Sequence, residues 1–150
     1  MRDISFQQES FLDTYQEAIP LIQKHYEEIA HYKDIELDPD IDMYHKLEMA
    51  GTIKVYTSRR KGQLVGYAVF FVRYNLHYKK SLQAMQDVIY IDPKHRGFGA
   101  LFISWCDEQL KKDGIQVVYH HVKASQDFSK ILTRLGYHLI DYIYGRRLDK

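Results

Sequence analysis

The chain holds one cysteine, one tryptophan and three prolines in 150 residues. A lone Cys106 excludes an internal disulfide framework and every paired-cysteine zinc motif, and it suits a reducing cytoplasm. The prolines are scattered, and no repeat, low-complexity stretch or linker divides the chain. An excess of one charge is also missing. With 21 Lys+Arg against 20 Asp+Glu the net charge is +1, which removes any general electrostatic drive toward nucleic acid or an anionic membrane. Long hydrophobic runs are absent too. Tyr67-Ala68-Val69-Phe70-Phe71-Val72 is far too short to span a bilayer, and the mean hydropathy is −0.44. Met1-Arg2-Asp3 runs into polar Gln7-Gln8-Glu9, so no signal peptide is expected.

What remains is 45% hydrophobic and 27% charged, the arithmetic of one globular domain. A short strand is expected at 4–7. From Ser10, a candidate N-cap, Phe11, Tyr15, Ala18, Ile22, Tyr26 and Ile29 follow helical spacing, with Pro20 expected to kink or split the helix. The segment 34–42, with four Asp, one Glu and Pro39, reads as a loop. A second helix from about Asp40 carries Ile41, Tyr44 and Leu47 inward and stops at Gly51. Then the period changes to two. Strands at 53–56 and 64–73 flank a turn at 60–63 as an antiparallel hairpin, and another strand covers about 85–91. Phe98, Phe102, Trp105, Cys106 and Leu110 mark a helix ending at Gly114. A strand at 115–122, a short helix closed by Gly136, and a strand-like stretch at 137–147 complete the order. The expected class is α/β, a mixed sheet with antiparallel hairpins first and crossovers later.

The most informative stretch is Val88-Ile89-Tyr90-Ile91-Asp92-Pro93-Lys94-His95-Arg96-Gly97-Phe98-Gly99-Ala100-Leu101. A strand enters a basic turn with two glycines and passes straight into a helix. Such a junction can cradle an anion: glycines admit close approach of the backbone, the first helical N–H groups are unpaired, and the macrodipole is positive there. Lys94, His95 and Arg96 add charge. Gly-Lys-Ser/Thr of a Walker loop is absent, as is the third glycine of a dinucleotide fingerprint. An ordinary strand-to-helix turn with a solvated basic flank would read the same locally.

This order of elements, with Lys-His-Arg-Gly-Phe-Gly-Ala at the junction, resembles the GNAT superfamily of N-acetyltransferases, nearest to small members of tailed bacteriophages. The family motif Gln/Arg-x-x-Gly-x-Gly/Ala is matched by Lys94-x-x-Gly97-x-Gly99, with Lys in first place; Arg96-x-x-Gly99-x-Leu101 is a second register. Leu135-Gly136-Tyr137 resembles the family's closing Leu-Gly-Phe. The resemblance implies a GNAT-like fold with splayed central strands. It implies acetyl-CoA as co-substrate, with its diphosphate over Arg96, Gly97, Phe98, Gly99 and Ala100. Lys94 and Arg96 would contact its phosphates from the side, with His95 between them in the binding turn, and the pantetheine arm would lie beside Ile89, Tyr90 and Ile91. The product is an acetylated amine of a small molecule or of a protein lysine. A homodimer is left open.

Direct attack needs a neutral amine. A lysine-like amine with pKa near 10.4 costs roughly 4–5 kcal/mol to deprotonate at pH 7, so a general base is useful. Asp87 is the first candidate, placed two and four residues before Ile89 and Ile91 and so expected on their strand face. His120 and His121 are alternatives, of which at most one can face the cleft. Each of the three reads equally as a satisfied structural group. Many family members place a tyrosine, the general acid, four residues before the Gly of Leu-Gly-Phe; here that position is Leu132. Cys106 sits at core spacing without a histidine partner and reads as buried. Tyr26, His31, Tyr32 and Tyr44, beside the acidic 34–42 segment, would rim an acceptor site, or form a solvated helix face. Two further readings compete: a catalytically weak acyl-CoA-binding or interaction module, and a nucleic-acid binder using Lys94, Arg96, Arg146 and Arg147.

Overall fold

A computed structural model describes residues 3–150; the Met1-Arg2 start of the leader reading lies outside them. The elements are β1 (Ile4–Gln8), α1 (Phe11–Ile29), α2 (Ile41–Met49), β2 (Ile53–Arg60), β3 (Gln63–Tyr74), β4 (Leu82–Ile91), a 3-10 turn (Pro93–Phe98), α3 (Gly99–Lys112), β5 (Val117–Tyr119) and α4 (Ser129–Arg134). The strands form one sheet in chain order, antiparallel except for the parallel β4–β5 pair. Among the described residues no helix is long and apolar enough to cross a membrane.

Local chemistry accounts for the element boundaries. Ser10 Oγ accepts from the Asp13 N–H at 3.2 Å and opens α1, and Asp40 does the same for Met43 at 2.9 Å in α2. Lys61 and Gly62 both take positive φ, 49° and 82°, which matches the twist of a tight hairpin between β2 and β3. Pro20 does not split α1, which runs unbroken from Phe11 to Ile29. It lies on the exposed face beside exposed Ile19 and Gln16, so the carbonyl it leaves unbonded meets water.

Helices cover both faces of the sheet, which is why β3 reads as a nearly continuous apolar run. On one face Phe102, Cys106 and Leu110 of α3 pack on Tyr56, Ala68, Phe70, Val72, Ala84 and Ile91. On the other, Ala18 and Leu21 of α1 meet Leu64, Tyr67 and Tyr90, while Phe11 packs with Ile53, Val55 and Val69, joined by Tyr44 of α2. Gly66 in β3 is needed for close approach, since a Cβ there would stand 2.9 Å from the Tyr90 carbonyl oxygen.

Two expectations at the far edge are corrected. The strand expected at 115–122 is confined to Val117–Tyr119, and the stretch 137–147 makes no ladder with the sheet. Gly136 with φ +94° turns the chain out of α4, and Leu139, Ile140, Tyr142, Ile143 and Tyr144 lie exposed. Apolar content alone therefore read as a strand where no partner edge is engaged.

Candidate active site

Two irregularities in β4 create the site. The first is a bulge. β3 pairs Val69 with Val88 and Phe70 with Gln86, so Asp87 is an extra residue outside the ladder. Ala84 and Gln86 face α3, as do Ile89 and Ile91, whereas Val88 and Tyr90 face α1. Simple alternation had placed Asp87 with Ile89 and Ile91. The bulge breaks that count and turns its carboxylate to the opposite face, where the Tyr44 hydroxyl of α2 donates to Oδ2. The second irregularity is a parting of strands. Parallel pairing runs from Gln83↔Val117 to Met85↔Tyr119 and stops, so among the described residues this edge of β4 has no strand partner from there to Ile91.

Burial raises the Asp87 pKa above its ordinary value, against the lowering effects of the Tyr44 hydrogen bond and of His121 nearby. His120 lies on the α3 face: its Nδ1 is 2.7 Å from Gln86 Oε1, and its ring stands edge-on to Phe70 and Tyr137. Desolvation pushes the His120 pKa down to about 4, so the ring is neutral, and its Nε2 is buried without a partner.

A cavity of about 230 Å³ opens between α1, α2 and the sheet, lined chiefly by Phe11, Tyr15, Ala18, Tyr44, Val69 and Val88. His25 also lines it, with Nδ1 2.8 Å from Tyr67 Oη and the ring stacked 4.8 Å from Tyr90. Burial pushes the His25 pKa down to about 4. Tyr26, His31, Tyr32 and Tyr44 line a wider hollow of about 380 Å³ at the α1–α2 connection. Tyr44 belongs to both spaces and reaches Asp87. Tyr26 also lines both but is turned to the connection, its Oη donating to Ile35 O at 2.7 Å, while His31 and Tyr32 line the outer hollow alone.

At the turn after β4, Asp92 accepts from the Lys94 N–H at 3.0 Å and from Lys24 Nζ at 3.2 Å. Arg96 donates to Ile91 O at 3.0 Å, pairs with Glu28 at 2.6 Å and lies over Tyr90. Its guanidinium braces the turn against α1. His95 Nδ1 is 3.4 Å from Arg60, which also lies over Phe98. Among the described residues, Lys94 alone of the three basic side chains makes no ion pair or side-chain hydrogen bond. Gly97 and Gly99 have neither positive φ nor crowding: a Cβ on Gly97 meets nothing within 4 Å, and one on Gly99 meets its nearest neighbours at 3.8 Å. The chain itself does not require these glycines. An anion approaching the turn from outside would, so the residues fit the diphosphate that the family resemblance implies. The amides are not all free, since the Gly99 N–H is used by Arg96 O.

Sequence reasoning missed the Tyr44–Asp87 pair and the role of His25. Helical spacing marks Tyr44 as inward-facing, but nothing local signals a partner 43 residues away. Among the described residues no group of three His, Cys, Asp or Glu could hold a metal. Cys106 is fully buried and burial drives its thiol pKa well up, which leaves it unreactive.

No protein-family model and no curated protein sequence matches the chain. Solved structures do. A ribosomal-protein-alanine N-acetyltransferase from Brucella melitensis biovar Abortus 2308 is 17% identical, with 97% of this chain and 99% of that one covered at TM-score 0.72. An aminoglycoside acetyltransferase from an uncultured soil metagenomic sample, in complex with sisomicin, is 15% identical over 97% and 98% at TM-score 0.71. A predicted acetyltransferase with acetyl-CoA from Clostridium acetobutylicum is 11% identical over 97% and 96% at TM-score 0.71. Such identities speak for architecture. With its mixed five-stranded sheet, bulged β4 and parted β4–β5 pair, the chain has the fold of GNAT-type acetyltransferases.

Proposed function

We propose that the chain is an acetyl-CoA-dependent N-acetyltransferase acting on a primary amine by direct attack. One observation carries this reading: a half-buried carboxylate, Asp87, stands on a strand bulge where β4 and β5 part, bonded to Tyr44, which lines a cavity for the acceptor. When bound, acetyl-CoA supplies an acyl group activated as a thioester. Gly97 and Gly99 leave its diphosphate room at the head of α3, and Lys94 offers a free cation there. Asp87 takes the proton from the acceptor ammonium, and its raised pKa makes it a stronger base than an exposed aspartate. Tyr44 holds the carboxylate toward the cavity. The amine nitrogen then forms the bond to the carbonyl carbon, the carbon–sulfur bond breaks with its electron pair going to sulfur, and the second proton on nitrogen passes to the departing thiolate, leaving a neutral amide and a free thiol.

The cavity suits the apolar stem of an amine, including the methylenes of a lysine. Its lining includes Phe11, Tyr15, Ala18, Val55, Val69 and Val88, with no carboxylate among the residues that form it. Not all of the acidic 34–42 segment is free to attract a cation. Asp34 is held by Arg147 at 3.0 Å and Lys150 at 2.8 Å, and Asp40 caps α2. Glu36, Asp38 and Asp42 stay exposed to draw in a cation.

The alternative, an acyl-CoA binder without turnover, rests on Leu132, whose buried side chain stands where the family's acidic tyrosine belongs. A thiol-release assay with acetyl-CoA and a panel of amines separates the two. Release that depends on a primary amine supports the proposal; binding of acetyl-CoA with no release on any amine supports the alternative.

A further inference from the structure

We infer that the acceptor is a free amino acid with a large apolar side chain, its carboxylate held by Lys123 on the wall of the inner cavity. The inference rests on the proposed acetylation of a primary amine and narrows it to one class of amine. Lys123 follows β5 and opens a tight turn, in which the Gln126 N–H donates to Lys123 O at 3.1 Å. That turn sets the lysine against the cavity, which it lines together with Val88, Tyr44 and His25. Lys123 is exposed and, among the described residues, its ammonium makes no ion pair or hydrogen bond.

The charge on that cavity wall is one-sided. Among the described residues Lys123 is the one cation lining it, and no carboxylate does. His25 adds no charge at neutral pH: burial, helped by the Arg96 and Lys123 cations and opposed by Glu28, holds its ring neutral. Glu28 is itself taken up by Arg96 at 2.6 Å, and Glu36 and Asp38 line the outer hollow instead. A free ammonium on an apolar wall repels a cationic ligand body and draws a carboxylate, so it selects between amines. The opposite sign stands behind Tyr44, which lines the same cavity and donates to the Asp87 carboxylate. An amino acid zwitterion matches this arrangement, with its ammonium toward Asp87 and its carboxylate toward Lys123.

The rest of the lining selects the side chain. Phe11 stacks on Tyr44 at 4.6 Å and on Tyr15 at 5.5 Å, and Ala18, Val69 and Val88 complete an apolar surface. At about 230 Å³ the space falls below the about 300–1,000 Å³ of sites for drug-sized ligands, so one ring or one branched chain is the body it encloses. A polyamine would set a second cation against Lys123, and a lysine within a protein brings that residue no carboxylate. In the transfer the zwitterion's ammonium gives one proton to Asp87, nitrogen bonds to the carbonyl carbon, the carbon–sulfur bond breaks, and nitrogen's second proton goes to sulfur. The products are an N-acetyl amino acid, its carboxylate still on Lys123, and the free thiol.

The test is thiol release from acetyl-CoA with L-phenylalanine and L-leucine, with their decarboxylated counterparts phenethylamine and 3-methylbutylamine, and with phenylalaninamide. The expected kcat/KM is about 10- to 100-fold higher for the amino acids, the range of one hydrogen bond between charged groups. Lys123→Met should remove that preference through KM for the amino acids, and Lys123→Glu should reverse it toward phenethylamine. The rise in melting temperature with acetyl-CoA should persist in both. Wild-type release on phenethylamine or phenylalaninamide at least equal to that on phenylalanine overturns the inference while leaving amine acetylation standing. A preference that survives Lys123→Met does the same, as does release confined to polyamines or protein lysines. Loss of the acetyl-CoA response in Lys123→Met also overturns it, because the cation then serves acetyl-CoA. Release on no amine of any kind removes the acetyltransferase reading and this inference with it.

Discussion

Burial raises the Asp87 pKa, and the sign of that shift fixes how this residue behaves with pH. Between the ordinary carboxylate range and its raised value the folded protein holds a proton that the unfolded chain has lost, so Asp87 costs stability as pH rises through that window. Asp87→Asn removes the cost. We expect turnover to fall about 100-fold or more with acetyl-CoA affinity nearly intact, the acidic limb of the rate profile to vanish, and the unliganded melting temperature at pH 7 not to fall. Normal turnover in that variant would return Asp87 to a structural role and move attention to His121. His25 has the opposite sign. Its pKa of about 4 lies below the ordinary 6.5, so its stabilising contribution is complete above pH 6.5 and is lost as pH falls toward 4. The loss amounts to about 3 kcal/mol by linkage. His25→Gln should flatten the melting temperature profile across that range; an unchanged slope would place the acid sensitivity elsewhere, with His120 the next candidate.

At the level of elements, Arg59 of β2 ties the start of the fold together. It donates to Glu9 at 2.9 Å and Glu17 at 2.8 Å and to Gly62 O at 2.9 Å, joining β1, α1 and the β2–β3 turn. Arg59→Met would leave two carboxylates facing each other beside Thr57. Allowing for partial exposure, the cost should be about 2–3 kcal/mol, read from urea unfolding with unchanged slope. A loss under half of that would mean the pairs are solvent-screened. This part of the molecule was well legible in the sequence. Ser10, Asp40 and the Lys61-Gly62 turn announce their boundaries through local chemistry, and helical and strand periods give the rest. The illegible features are all non-local. A bulge at Asp87 depends on how β3 and β4 register, and it reverses the face that alternation assigns. Pro20 is harmless only because its side of α1 faces water. The 137–147 stretch has strand composition, but whether an edge receives it is decided by other parts of the molecule. Likewise the Gly97–Gly99 turn was legible as a feature, whereas the bracing of Arg96 by Glu28 was not.

At the scale of the whole molecule, the proposed function requires that the turn at Gly97–Gly99 and the parted β4–β5 edge receive acetyl-CoA. The direct measurement is the melting temperature of the wild-type chain and of Gly99→Val, each with and without acetyl-CoA. Ligand at 100 times its Kd adds about 2.7 kcal/mol, which for a domain of this size is a rise of about 5–10 °C. Gly99 has helical φ of −56° and neighbours no closer than 3.8 Å to an added Cβ, so valine should leave the unliganded melting temperature close to wild type while abolishing most of the rise. A wild-type chain whose melting temperature does not move with acetyl-CoA, or a Gly99→Val variant that responds as fully as wild type, would contradict the account.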